Sequence, residues 1–415
     1  DGLIGEAEID VPVRRLLATK FRLGLFDPPG RVPFAAQSPG IVDSDAHRAL
    51  ARQAAAESIV LLKNAPGVLP MRPDPASLLV VGPQAANIGA LLGNYSGVSP
   101  QLVTFLEGIV ERIDPNTQLE YRASCPAAQA GAPGVNYTFG AAMSSDVVIA
   151  FLGLDPTLEG EEGDAVSSLS GGDCDQIELP EVQRTFLLEL RRHARTLILV
   201  LTGGSAIAVP EAHEICDAVL YAWYPGCEGG RALADVLFGG VSPSGKLPVT
   251  VPRRTADLPT FNDYRMRGRT YRFAGIEPLY PFGFGLSYTT FVYGALIASA
   301  DVLKPGQELI VRTTLANKGR RDGQEVVQCY LVPPQNHPDA PQATLVDFKK
   351  IPVAAGASVA VEFRLPGDAF RQVDATGRFV WTPGRCAAVV GSASPGARAV
   401  ALGAPVPATC EIRLA

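Results

Sequence analysis

Six carboxylates crowd one stretch of this chain. Glu159, Glu161, Glu162, Asp164, Asp173 and Asp175 all lie in LEGEEGDAVSSLSGGDCDQ, residues 158–176. Carboxylates packed that closely raise the pKa of at least one member, because like charges resist ionising together. A carboxyl tuned in that way protonates a leaving group well near neutral pH, so one of the six is a candidate general acid. The same residues also suit a solvated acidic loop or a calcium site, and composition alone does not choose among the carboxyls.

The elements around this stretch decide where it points. Before it runs DVVIAFLGL, Asp146 to Leu154, an apolar run that reads as a buried strand. After it comes Pro180, followed by PEVQRTFLLELRRHA, an amphipathic helix pattern. The loop between is about twenty residues long, and loops of that length inside a compact α/β domain are usually functional or disordered. In open α/β sheets, ligands collect beyond the carboxyl ends of the strands, which is where this loop belongs.

The same alternation extends in both directions. DSDAHRALARQAAAESIVLLKN offers Asp43 or Ser44 as a helix cap, then an alanine-rich helix, then a short strand. LLVVGPQA, TLILVLTGG and CDAVLYAWYPG read as further strands, and LEGIVERI and GRALADVLFGG as helices. Continuous apolar strands alternating with helices predict a mainly parallel sheet with helices on both faces, an α/β sandwich. Residues 251–291 break the pattern with RTYRF and PLYPFGFGLSYTTF. Their aromatic content predicts an ordered connector, since disordered segments are poor in aromatics. From about residue 292 the texture is all-β. ELIVRTTLANKG, EVVQCYLVPP, ASVAVEFRL and GRFVWTPGRCAAVVG alternate between turn signals. Their rhythm predicts an immunoglobulin-like sandwich. Ahead of everything, DVPVRRLLATKFRLGLF reads as a helix stopped by Gly24. A helix so near the first residue has nothing before it to pack on, and reads as the tail of something larger.

Composition excludes several classes. The chain has 415 residues, more than one core normally serves, so two or three domains are expected. Lys and Arg number 36 against 42 Asp and Glu, a net charge of −6. With no basic stripe interleaved with aromatics, a nucleic-acid partner is not expected. No apolar run reaches the length of a membrane span. The seven cysteines are scattered, without CxxC or zinc spacing, and read as single buried thiols, with one or two bridges left open. Four histidines make a His-based metal site unexpected.

Some motifs tempt and fail. Gly240 to Leu247, GVSPSGKL, has the GxxxxGK frame of a phosphate-binding loop, but Leu247 stands where a magnesium-binding hydroxyl belongs. It also follows a helix and precedes the strand-like LPVTVP, the reverse of the required order. His213-Glu214 lacks the second histidine of a zinc protease helix, and Ser205 is not framed as a nucleophile elbow.

Taken as blocks in order, the residues resemble glycoside hydrolase family 3, in its β-glucosidase and β-xylosidase branch. AAAESIVLLKN, LLGNYSG with VTFLEGI, GLDPTLEGEEGD, GGDCDQIELPEVQ, WYPGCEGGRALADVLFGGVSPSGKLPVTVP and PLYPFGFGLSYTTF are similar to that family's second domain. NKGRRDGQEVVQCYL and DFKKIPVAAG resemble its fibronectin-III-like third domain. The resemblance implies an acid/base glutamate on the acidic loop. Aligning Gly153-Leu154-Asp155 with the family's strand end puts it at Glu161, with Glu159 the second choice. Glu162 and Asp164 are left as solvated neighbours. One departure concerns Cys174, which stands where the family often has an arginine and leaves Asp173 without a fork-like partner. The family's nucleophile is an aspartate on a preceding (β/α)8 barrel. Residues 1–30 resemble the last helix of that barrel and its linker, and no aspartate here sits in the nucleophile's motif.

The expected layout is therefore a barrel tail and linker at 1–30, the α/β-sandwich domain at 31–250, the connector at 251–291 and the fibronectin-III-like domain at 292–415. The resemblance implies a retaining exo-hydrolase of β-linked glucosides or xylosides. Its partners would be a β-linked oligosaccharide or aryl or alkyl glycoside as substrate, and an N-terminal barrel from the same gene or a separate chain. No cofactor, metal, nucleic acid or membrane is expected, and a homodimer is left open. The expected compartment is secreted or periplasmic, with the cytoplasm left open. Two rival readings are a non-catalytic carbohydrate-binding or scaffold piece, and one half of a split enzyme.

Overall fold

The structure is a computed structural model. It describes residues 3–97, 99–128, 135–160, 174–335, 340–374 and 376–415. The chain divides into two units, residues 1–50 and 51–415. In the first, helix α1 (Glu6–Arg22) ends where Gly24 takes a left-handed φ of 70°. The Gly24 amide bonds the Phe21 carbonyl at 3.0 Å and the Leu25 amide bonds Lys20 at 3.1 Å. This paired arrangement needs a residue without a Cβ at the turn, which explains the glycine stop.

Helix α2 (Asp45–Ser58) buries Ala55 and Ala56 in its last turns. A six-stranded sheet follows: β1 (Val60–Asn64), β2 (Ser77–Val81), β3 (Gln118–Arg122), β4 (Val147–Gly153), β5 (Thr196–Thr202) and β6 (Ala218–Tyr221). Its spatial order is β1-β6-β5-β4-β2-β3, parallel throughout except that β1 runs antiparallel to β6. Among the described residues, six helices interleave: α3 (Gly89–Leu92), α4 (Phe105–Val110), α5 (Val135–Ser144), α6 (Glu181–His193), α7 (Pro210–Ile215) and α8 (Gly229–Leu237).

Side chains alternate across a strand, so each central strand feeds two cores. Val148, Ala150 and Leu152 of β4 join Leu197, Leu199 and Leu201 of β5 against Phe186, Leu187 and Leu190 of α6. Ile149, Phe151, Ile198 and Val200 face the other way, into a core with Phe105 and Ile109 of α4 and Leu233 and Leu237 of α8. Burial on both faces is why these strands are apolar without a break. The expected α/β sandwich is the observed fold. β3 carried no usable signal, because QLEYR lies at the sheet edge, half in water, with no apolar run.

The connector is held by rings. Tyr271 stacks on Phe282 at 4.6 Å and meets Tyr330 edge-on at 5.8 Å; it lies in the short helix α9 (Thr270–Phe273).

The last part is an antiparallel sandwich. One sheet has β7 (Phe291–Tyr293), β8 (Ile297–Ala298), β10 (Leu309–Asn317) and β13 (Ser358–Leu365). The facing sheet has β9 (Val302–Leu303), β11 (Gly323–Val332), β12 (Thr344–Val353), β16 (Gly384–Gly391) and β17 (Ala408–Leu414), with only β9 parallel to its neighbour. A two-stranded ribbon, β14 (Arg371–Val373) with β15 (Phe379–Trp381), and a short helix, α10 (Ala397–Ala401), complete it. Along β10, Leu309, Val311, Thr313, Leu315 and Asn317 are all buried, the period-two pattern of a strand with one face on a core. All seven cysteines are free thiols; Cys125, Cys216, Cys329 and Cys386 are buried and Cys174 is exposed.

The phosphate-loop lookalike is a junction. Lys246 points to Glu325 at the start of β11, with Nζ 2.8 Å from Oε1, and also donates to the Gly285 carbonyl at 2.7 Å. Both side chains are almost fully buried, so this lysine holds the α/β part against the sandwich.

Candidate active site

The acidic loop leaves the carboxyl end of β4, and its first residues are tightly fastened. Gln183 of α6, fully buried, reaches back to the strand end. It accepts from the Gly153 amide at 2.7 Å and donates to the Gly153 carbonyl at 2.8 Å and the Ala127 carbonyl at 2.6 Å. Asp155 is buried two residues on. Its carboxylate accepts from the Thr157 amide at 2.9 Å and hydroxyl at 2.6 Å, and from Asn87 at 2.9 Å. The Asp155 carbonyl then accepts the amides of Leu158 and Glu159, each at 2.9 Å. A carboxylate that closes a turn onto the next amides is a common aspartate role, and here it aims the chain at Glu159.

Glu159 sits where loops from three strand ends meet. Its Oε2 accepts from the Gly204 amide, just past β5, at 2.7 Å. It also accepts from the Tyr224 hydroxyl, just past β6, at 2.7 Å. Asn94, in the LLGNYSG segment, donates to the Glu159 carbonyl at 2.7 Å. Burial, and then the hydrogen bond to Glu159, push the Tyr224 phenol far above its ordinary value, so it remains a donor.

The returning limb is fastened too. Glu178 accepts from the Thr255 amide at 2.7 Å and from the Thr255 hydroxyl. Burial alone would raise its carboxyl, but these donors, with the backbone amides of Glu178 and Ile177, outweigh it and hold the group below the usual carboxylate range. The Ala208 amide bonds the Ile177 carbonyl at 2.7 Å. Cys174, the departure from the family pattern, donates its thiol to the Gln176 carbonyl at 2.8 Å. A cleft of about 1050 Å³ lies at this foot, lined in part by Leu158, Cys174, Glu178, Arg184, Glu211 and Arg254.

Of the candidate carboxyls, Glu159 and Asp175 are described, with Asp175 exposed on the returning limb. Glu161, Glu162, Asp164 and Asp173 lie outside the described residues. Among the described residues, no cluster of three His, Cys, Asp or Glu side chains could hold a metal. Reading the sequence for chemistry missed Gln183, Asn94, Gly204 and Tyr224 as fasteners. Asn94, Gln183 and Tyr224 stand inside the blocks that carry the family resemblance, which was the available signal.

A mainly parallel α/β layer with an acidic loop leaving the carboxyl end of a central strand, followed by an antiparallel sandwich, is the observed arrangement; in open sheets of this kind ligands collect at that edge. Residues 59–288 match the glycosyl hydrolase family 3 C-terminal domain, and residues 325–394 match a fibronectin type III-like domain. The chain belongs to glycosyl hydrolase family 3. A β-xylosidase of Formosa agariphila is 31% identical over 399 residues, covering 93% of this chain and 54% of the relative. A periplasmic β-glucosidase of Salmonella typhimurium is 29% identical over 427 residues, covering 94% and 54%. The solved β-glucosidase of Erythrobacter marinus superposes with a TM-score of 0.83 at 33% identity, over all of this chain and 56% of that one. The chain thus spans about half the length of these relatives.

Proposed function

We propose that this chain supplies the acid/base part of a retaining, exo-acting β-glycosidase that removes terminal β-linked glucose or xylose. The observation that carries the reading is a family 3 chain whose acidic loop is pinned on both limbs at the carboxyl edge of its sheet. Relatives named β-xylosidase and β-glucosidase supply the substrate class. Glu161 is the acid/base. It protonates the leaving oxygen while a second carboxylate attacks the anomeric carbon, then serves as the base that activates water. Retaining enzymes hold the two carboxyls about 5–5.5 Å apart. The second carboxylate is assigned to a (β/α)8 barrel outside these 415 residues, because no aspartate here sits in the nucleophile's motif. The step needs no metal and no cofactor. A secreted or periplasmic setting fits the periplasmic relative, and no described helix is long and apolar enough to cross a membrane.

Covalent catalysis splits the hydrolysis in two, and the first half requires the nucleophile. The 415-residue chain alone should therefore be inactive on 4-nitrophenyl β-glucoside and β-xyloside. A turnover of about 1 s⁻¹ or more, ordinary for an enzyme, would place a nucleophile within these residues and overturn the reading. Joined to its barrel, Glu161→Gln should slow natural disaccharides more than aryl glycosides, whose leaving groups depart with little protonation. Equal losses on both would count against the acid role.

A further inference from the structure

Glu159 has an acid's chemistry, but its carboxylate is engaged elsewhere. An acid must aim its proton at the leaving oxygen. Oε2 of Glu159 instead faces the Gly204 amide and the Tyr224 hydroxyl, both at 2.7 Å. We propose that Glu159 is a positioning residue, a strut that ties the start of the acidic loop to the strand ends of β5 and β6. This rests on the acid/base reading of the loop and goes beyond it.

Three observations support the strut independently. The Tyr224 ring is wedged between two glycines. A Cβ on Gly93, itself at φ 66°, would fall 2.8 Å from Cδ2 of Tyr224, and a Cβ on Gly204 would fall 3.2 Å from Cε2. Side chains at those positions would push the ring off the carboxylate. The phenol stays protonated, since burial and Glu159 itself oppose its ionisation, so the donor is constant across the working pH range. The backbone of Glu159 is held as well, its carbonyl by Asn94 at 2.7 Å and its amide by Asp155 at 2.9 Å. Three segments distant in sequence, at Asn94, Gly204 and Tyr224, thus converge on one residue, two of them on its side chain. Glu159, two residues ahead of Glu161, is thereby fixed in place, and the rest of the loop starts from a set point.

Both donors meet the same oxygen, so the strut needs one acceptor atom and no charge. Glutamine supplies that atom and alanine does not. In the 415-residue chain, hydrogen exchange at the Gly204 amide should stay slow in Glu159→Gln. In Glu159→Ala it should speed up by about tenfold or more, the scale of one lost hydrogen bond. Unchanged protection in Glu159→Ala would overturn the strut. In the barrel-bearing enzyme, Glu159→Ala should lower kcat by about tenfold or more with KM nearly constant, since misplacement acts on the chemical step. Glu159→Gln should restore most of that loss and keep the basic limb of the pH–rate profile, which Glu161→Gln should abolish. A Glu159→Gln enzyme that loses that limb would make Glu159 the acid itself and end the positioning role. The exchange experiment does not depend on activity, so a failure of the Glu161 assignment would show separately, as an unaltered pH profile in Glu161→Gln.

Discussion

Glu178 shows how a single carboxylate can make the loop sensitive to acid. It accepts from Thr255 twice, and those bonds hold its carboxyl below the ordinary range in spite of partial burial. A carboxylate depressed by folding contributes stability that is present above its unfolded value, near 4.3, and is lost as pH falls through the folded value. Acidification below the unfolded value should therefore progressively remove that contribution. Comparing urea midpoints of the parent and Glu178→Gln across this range tests it. The parent should lose more stability on acidification than the variant, and parallel curves would show that the Thr255 bonds favour neither protonation state.

At the scale of elements, the crossing of α4 and α8 depends on absent side chains. A Cβ on Gly230 would lie 1.9 Å from the Thr104 carbonyl oxygen, and a Cβ on Gly108 would lie 2.0 Å from the Gly230 carbonyl oxygen. The backbones touch, which brings the strand-end loops around α8 close to the LLGNYSG segment. Thr104 also starts α4 with a reciprocal cap: its hydroxyl accepts the Glu107 amide at 3.3 Å, and the Glu107 carboxylate accepts the Thr104 amide at 2.7 Å. Losing the cap in Thr104→Ala should cost about 0.5–2 kcal/mol. Gly230→Ala forces the two helices apart and should cost at least as much as ordinary overpacking, about 1–3 kcal/mol. Denaturant unfolding of both variants should rank Gly230→Ala as the more damaging; the reverse order would mean that the helices separate easily.

Across the whole second unit, the buried Lys246–Glu325 pair couples the α/β part to the sandwich. Burial pushes the Glu325 carboxyl upward, and Lys246 works against that shift without cancelling it. Removing one partner leaves the other charge buried and alone, which costs about 3–5 kcal/mol in comparable cases. Replacing both with apolar side chains of similar size removes the desolvation penalty along with the attraction. Glu325→Leu alone should therefore be more destabilising than Lys246→Met combined with Glu325→Leu. A double variant as damaged as the sum of the singles would show that the two charges act independently. Glu57 and Lys350 form a second, more exposed link between the same parts, at 2.5 Å. Partly exposed pairs of this kind contribute little, so the buried pair should dominate the junction.

How much was legible follows from the range of each interaction. TLILVLTGG declared a central strand because both its faces needed apolar cover, and the structure places β5 there. LEGIVERI read as a helix and Gly24 marked the end of α1, since both signals act within a few residues. The acidic loop and its place at a strand end were legible for the same local reason. The blocks shared with family 3 named the fold and the class without any pairing being known. What tertiary structure decided is who meets whom. Tyr224 lies 65 residues from Glu159 and Gly204 lies 45 away, and no local period connects them. They meet because β4, β5 and β6 run parallel side by side, so their carboxyl ends open onto the same edge. Lys246, whose phosphate-loop frame already failed in the sequence, likewise found its partner only in the fold: Glu325 lies near the start of a strand of another sheet. Composition and periodicity specify elements and their faces, whereas contacts between distant residues depend on the order of strands in the sheet, which local sequence does not encode.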